Sequence, residues 1–167
     1  MKSINTVRLT LVPLSLEQLN TWLNDVQVLE HELVCHYRGE KLQNDFESRV
    51  RVQLSKVQND LANWLWNTFW LILRNEDRLV IGSFQFNGAP NDEGQVRIGF
   101  ELSPEFRHCG YMTETVRAMC RWAKLQPGIY QICAQTECDN IASQKVLYQC
   151  GFVEQERNNI SLWTFDA

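Results

Sequence analysis

Nothing in this sequence approaches the roughly 18 to 20 consecutive apolar residues that a membrane-spanning helix requires. The opening residues, Met-Lys-Ser-Ile-Asn-Thr-Val-Arg, also lack the apolar h-region of a secretory signal. A cytoplasmic protein that does not associate with membranes is therefore expected. The six cysteines, Cys35, Cys109, Cys120, Cys133, Cys138 and Cys150, are dispersed and form no CxxC pair. Reduced, mainly structural thiols are expected, with no metal. Basic residues are in the minority, 16 Lys and Arg against 20 Asp and Glu, for a net charge of -4. That balance argues against binding by phosphate neutralisation over a broad basic surface, so no nucleic-acid partner is expected. It leaves room for a local basic spot facing a small phosphorylated ligand, and for a cationic ligand elsewhere. No repeat, low-complexity tract or linker divides the 167 residues, which are expected to form a single domain, 1–167.

What is present is a clear succession of periodic segments. Residues 4–14 read as an apolar, β-branched strand ending at Pro13. Ser15 with Gln18 three residues later is a capping-box pattern, and Leu16, Leu19, Trp22 and Leu23 then share one helical face. Residues 26–42 are mixed, carry His31, His36 and Tyr37, and are expected to form a short helix or a mobile connection. Phe46, Val50, Leu54, Val57, Leu61 and Leu65 recur at helical spacing and predict one long amphipathic helix over 43–65.

Three strands are predicted next, over 68–74, 79–87 and 95–103, joined by polar turns into an antiparallel meander. Residues 69–73 are apolar on both faces, which places that strand in mid-sheet with the preceding helices as one cover. A helix over 111–125, a strand over 129–136 and a helix over 140–150 capped by Gly151 follow, then a hairpin of 152–155 and 161–165 around Asn158-Asn159. Strand and helix alternating after a meander predict a mixed α/β (α+β) sheet.

Between the third meander strand and the next helix lies Pro104-Glu105-Phe106-Arg107-His108-Cys109-Gly110-Tyr111-Met112-Thr113-Glu114-Thr115. The first turn of a helix leaves about four backbone N–H groups unpaired at its positive end, and Gly110 permits close approach of a ligand to the backbone. Each such contact contributes only about 0.3 to 2 kcal/mol, so several must converge to hold a diphosphate. Arg107 and His108 would add charge at the rim. The segment is not a nucleotide P-loop, since GxxxxGK[ST] is absent, nor does it carry GxGxxG.

These residues resemble the cofactor motif [RQ]-x-x-G-x-[GA] of the GNAT superfamily of N-acetyltransferases, with Arg107 and Gly110 matching and Met112 departing. The string Gly110-Tyr111-Met112-Thr113-Glu114 is similar to that of the branch containing ribosomal-protein N-terminal acetyltransferases. The similarity extends back to Ile98-Gly99-Phe100-Glu101-Leu102-Ser103-Pro104 and forward to the segment from Asn140 and Ser143 to Gly151-Phe152. It implies a GNAT fold, with a central mixed six- to seven-stranded sheet, helices on both faces, and a splayed parallel strand pair, 95–103 and 129–136, that forms an acetyl-CoA cleft. It further implies that the pantetheine arm pairs with backbone near Leu102 and Ser103, and that the pyrophosphate meets the N–H groups of Cys109, Gly110, Tyr111, Met112 and Thr113. Asn140 and Ser143 would be CoA contacts, Asn140 also serving as an N-cap. Homodimers are common in the family.

The implied reaction is acetyl transfer from acetyl-CoA to a primary amine, either a protein N-terminus or a small-molecule amine. The alternative is a non-catalytic acyl-CoA-binding sensor. Transfer needs a neutral nucleophile, a polarised carbonyl and a proton for the leaving thiolate. An alkyl amine is neutral only about one part in a thousand at pH 7, whereas an α-amine near pKa 8 is about a tenth neutral. By alternation Arg97, Gly99 and Glu101 share one face of their strand and Ile98, Phe100 and Leu102 the other. Glu101 is the candidate base, directly or through water, or else an edge carboxylate paired with Arg97. Tyr148 falls where many family members carry the acid that protonates the CoA sulfur, or else packs ahead of Gly151. A Cys109 nucleophile activated by His108 is rejected, because adjacent side chains rarely meet in that geometry. His31 and His36 read as structural or solvated, and Trp64, Trp66, Trp70, Phe84 and Phe86 as mostly core.

Overall fold

The computed structural model describes residues 2–167, with Arg157 described by its backbone alone. Met1, the first residue of the segment read above for a signal, lies outside them. Among the described residues no helix is long and apolar enough to cross a membrane.

The strand expected over 4–14 is two strands, β1 (Ile4–Asn5) and β2 (Leu9–Pro13). A turn in which the Thr6 N–H donates to the Leu9 carbonyl (2.8 Å) folds one antiparallel onto the other. Helix α1 (Leu16–Asn24) starts at Ser15 with both halves of the capping box formed. The mixed stretch is helix α2 (Val26–Leu33), capped by the Asp25 carboxylate, followed by β3 (His36–Tyr37). Helix α3 (Asn44–Asn59) stops short of the expected end. Asp60 leaves helical geometry and its carboxylate accepts from the Asn63 N–H, starting a 3-10 turn, Leu61–Asn63, that leads into α4 (Trp64–Asn67). An Asp at that place competes with the helix for its own backbone, a signal that the apolar periodicity hides.

The meander is β4 (Phe69–Arg74), β5 (Leu79–Phe86) and β6 (Gln95–Leu102), antiparallel throughout. Helix α5 (Tyr111–Lys124), β7 (Gln131–Glu137), α6 (Ile141–Gln149), β8 (Val153–Arg157) and β9 (Ile160–Asp166) complete the chain. One sheet runs in the order β1-β2-β4-β5-β6-β7-β9-β8, with β3 added beside β5. Setting aside the two-residue β1 and β3, seven strands remain, at the upper end of the expected size.

Residues of β4 divide between two cores by their parity. Trp70 and Ile72 join a cluster with Phe84, Ile98, Val116, Met119 and Leu147, under α5 and α6. Phe69, Leu71 and Leu73 join Trp22, Leu29, Phe46 and Val50, under α1 to α3. That is the doubly covered central strand its composition predicts. The second cluster takes sheet residues from β2, β4 and β5, and among the described residues none from β6, β7, β8 or β9. Helices α1 to α3 therefore cover half of their side of the sheet. The β6 face that carries Arg97, Gly99 and Glu101 is left beyond their apolar cover.

Candidate functional site

Strands β6 and β7 run parallel and pair from Gln95/Gln131 to Ile98/Ala134. Past that point they part: the rest of β6 stays with β5, and the rest of β7 stays with β9. The Asn87 N–H donates to the Arg97 carbonyl (2.8 Å) and the Ser103 N–H to the Ile81 carbonyl (3.1 Å). These odd-numbered residues thus turn their polar backbone toward β5, and by alternation Phe100 and Leu102 turn theirs toward the gap. The expectation that Ser103 pairs with a ligand arm is corrected on this ground. Its N–H is taken, its hydroxyl donates to the Arg38 carbonyl (2.5 Å), and it is buried away from the cleft. Phe100 and Leu102 are the cleft-facing pair.

The gap opens into a cleft of about 730 Å³ whose lining includes Phe100, Glu101 and Leu102 from β6, Arg107, His108, Gly110, Tyr111, Met112 and Thr113 from the loop and first turn of α5, and Asn140, Ser143 and Lys145 from α6. Cys109 and Tyr148 are not among the lining residues. Gly110 is the N-cap of α5 in left-handed conformation (φ 78) with no side-chain cap, and His108 is also left-handed (φ 64). The helix begins its own bonding with the Glu114 N–H to the Gly110 carbonyl (3.0 Å). Among the described residues, none of the backbone N–H groups from His108 to Thr113 meets an acceptor. A run of unpaired donors at the positive end of a 14-residue helix fits a diphosphate, because each donor otherwise relies on solvent. The second wall is similarly prepared. The Asn140 side chain accepts from the Ser143 N–H (3.1 Å), capping α6 as its type predicts.

Two features of the site were not legible in the sequence. Arg8 holds the loop from the far end of the chain: its Nε donates to Glu114 Oε2 (2.7 Å), its Nη1 to the Cys109 carbonyl (2.9 Å), and its guanidinium lies 4.5 Å from the Tyr111 ring centroid. Burial opposes ionisation of Glu114, but hydrogen bonds from the Thr6 hydroxyl, the Arg8 N–H and the Arg8 side chain outweigh it and hold that carboxyl below its usual range. Glu40, on the connection between β3 and α3, belongs with Glu101. Burial and the Glu101 charge both push its carboxyl up, while Arg49 and Arg107 pull it down.

Glu101 pairs with Arg107 (Nη2 to Oε1, 3.0 Å) and not with Arg97, whose Nη1 reaches Gln135 (3.4 Å). Arg107 also donates from Nε to the Leu102 carbonyl (3.1 Å), so its guanidinium is turned toward β6 and away from the free N–H groups. Tyr148 is 75% exposed, whereas Leu147 beside it is fully buried. The helical phase of α6 turns Lys145, Val146 and Gln149 to the cleft and leaves Tyr148 off it, which corrects its placement beside a CoA sulfur. Lys145, unremarked in the sequence, is the cation that α6 does bring to the cleft. His31 and His36 lie on α2 and β3, and neither lines the cleft.

A gap between two parallel strands, floored by a helix that opens on unpaired N–H groups, is the arrangement the sequence resemblance implies. The chain belongs to the acetyltransferase (GNAT) domain family, whose model matches residues 8–153. It is 32% identical over 84 residues to the uncharacterized N-acetyltransferase YjdG of Bacillus subtilis (strain 168), a match covering 50% of this chain and 50% of that protein. The chain thus spans about half the length of that relative. Its fold is shared with RimL, a ribosomal L7/L12 alpha-N-protein acetyltransferase in complex with coenzyme A, at TM-score 0.68 and 15% identity over 99% of this chain and 98% of that one. It is likewise shared with a ribosomal-protein-S5-alanine acetyltransferase from Vibrio fischeri, at TM-score 0.68 and 17% identity over 99% and 97%.

Proposed function

We propose that this chain transfers the acetyl group of acetyl-CoA to a primary amine in the cytoplasm. The observation that carries the reading is the cleft itself, in which the free N–H groups of residues 108–113 lie at one end and the backbone of Phe100 and the N–H of Leu102, turned away from β5, along one wall. The first would hold the diphosphate and the second the pantetheine arm, with Asn140, Ser143 and Lys145 facing them from α6. Acetyl-CoA supplies an acetyl group already activated as a thioester.

Glu101 sits at the end of β6 on the sheet face that α1 to α3 leave beyond their cover, and it lines the cleft. Its carboxylate attracts the ammonium and takes its proton, directly or through water. As the C–N bond forms and the C–S bond breaks, the proton lost by nitrogen ends on the thiol. With Tyr148 on the solvent side of α6, water at the open face carries that proton. The acceptor is a protein N-terminus or a small-molecule amine. An α-amine demands less of a base than an alkyl amine, since about a tenth of it is already neutral near pH 7.

The test is thiol release from acetyl-CoA by the purified protein across N-terminal peptides and small amines. Release above background with at least one acceptor is expected. Tight CoA binding with background release throughout would instead identify an acyl-CoA sensor.

A further inference from the structure

We infer that Arg107 is a positioning residue for Glu101, serving the amine side of the reaction and not the phosphates of the cofactor. This rests on the acetyl-transfer reading. One edge of its guanidinium is committed within β6, Nε to the Leu102 carbonyl (3.1 Å) and Nη2 to the Glu101 carboxylate (3.0 Å). A planar guanidinium that satisfies a carbonyl in the plane of the strand and a carboxylate on one face fixes that carboxylate in rotation as well as distance. The cleft is supplied separately with unpaired N–H groups at the first turn of α5 and with a further cation, Lys145, from α6.

The surroundings of Glu101 show why a fixed cation is needed there. The chain after β3 crosses the end of β6, pinned by the Ser103 hydroxyl on the Arg38 carbonyl (2.5 Å) and by the Tyr37 hydroxyl on the Glu40 carbonyl (2.7 Å). It brings Glu40 close enough to Glu101 for the two charges to interact. Arg49, from α3, forms an ion pair with Glu40 at 3.7 Å, beyond hydrogen-bond length, and Arg107 is the arginine hydrogen-bonded to Glu101. Without it two carboxylates would face each other, and Glu101 would swing into solvent. Arg107 holds Oε1 of Glu101 and leaves Oε2 for the amine.

The experiment combines CoA titration by calorimetry with thiol release from acetyl-CoA, using a peptide amide beginning Ser-Ala and spermidine as acceptors. Arg107→Gln is expected to leave the Kd for CoA within about twofold, since the N–H groups are untouched, and to lower kcat/KM for the amine by about tenfold or more. Arg107→Lys, which keeps a charge at the same reach, is expected to recover most of that loss. The double variant Arg107→Gln with Glu101→Gln is expected to be no worse than Glu101→Gln alone, because one residue acts through the other. A tenfold weaker CoA complex with unchanged turnover, or additive losses in the double variant, would overturn the inference while acetyl transfer stood. Absence of release by the unaltered protein with every amine would overturn both.

Discussion

Gly82→Ala is the smallest change that should disable both fold and site. Gly82 lies opposite Leu102 in the β5–β6 ladder and beside the bulge at which the β4–β5 register slips. A Cβ there would sit 2.2 Å from the Glu101 carbonyl oxygen and 3.0 Å from the Leu102 Cα, both main-chain atoms that no rotamer change can move aside. The shortfall from the 3.4 Å where ordinary contact begins is roughly 1.2 Å. It can be relieved only by prising the end of β6 off β5, at the expense of the Ser103 N–H bond to Ile81 and part of the Gly82 pairing. Losing one or two backbone hydrogen bonds and overpacking the site together cost about 2 to 4 kcal/mol. For a domain of this size that lowers Tm by about 5 to 15 °C. The same displacement moves Glu101 by about 1 Å, enough to reduce turnover by about a hundredfold. Differential scanning calorimetry and thiol release below the lowered Tm measure the two effects. A variant that melts within about 1 °C of the parent and turns over within about twofold of it would show that the close approach described here does not exist.

Glu114→Gln should destabilise the protein by about 1 kcal/mol at pH 7. Because the carboxyl is held below its usual range, this stability is present above its unfolded pKa near 4.3 and is lost as pH falls through the lower folded value. Melting curves of variant and parent should therefore converge in acid, and a gap that persists below about pH 3 would contradict the assignment. Cys109 is exposed while burial pushes the Cys120 thiol up to about 12 and that of Cys150 to about 11. Iodoacetamide should label Cys109 well before these two, and equal labelling rates would contradict the burial of Cys120 and Cys150. Tyr148→Phe should leave kcat within about twofold, and a loss of tenfold or more would restore Tyr148 as the acid.

Local signals were legible and non-local ones were not. The capping box at Ser15 and Gln18, the two-sided apolarity of β4, and the glycine entrance to α5 each depend on neighbours within four residues, and each is formed as its chemistry requires. Alternation along β6 already separates Glu101 from Leu102, and carried one step further it also sets Ser103 facing β5. The placement of Tyr148 beside a CoA sulfur followed family position without following helical phase: the residue on the buried side of α6 is Leu147. The placements of Arg8 and Glu40 depend on which distant segments meet. The contact between Arg8 and Glu114 spans 106 positions, and no periodicity in either segment points to the other.

That last contact also orders the maturation of the site. A ribosome adding about 5 to 20 residues per second needs roughly 5 to 20 s to travel from Arg8 to Glu114. Until then the turn between β1 and β2 has no carboxylate to grip. Arg8 is thus made long before its final partners exist, so the N–H end of the cleft depends on contacts between distant segments and not merely on local helix formation.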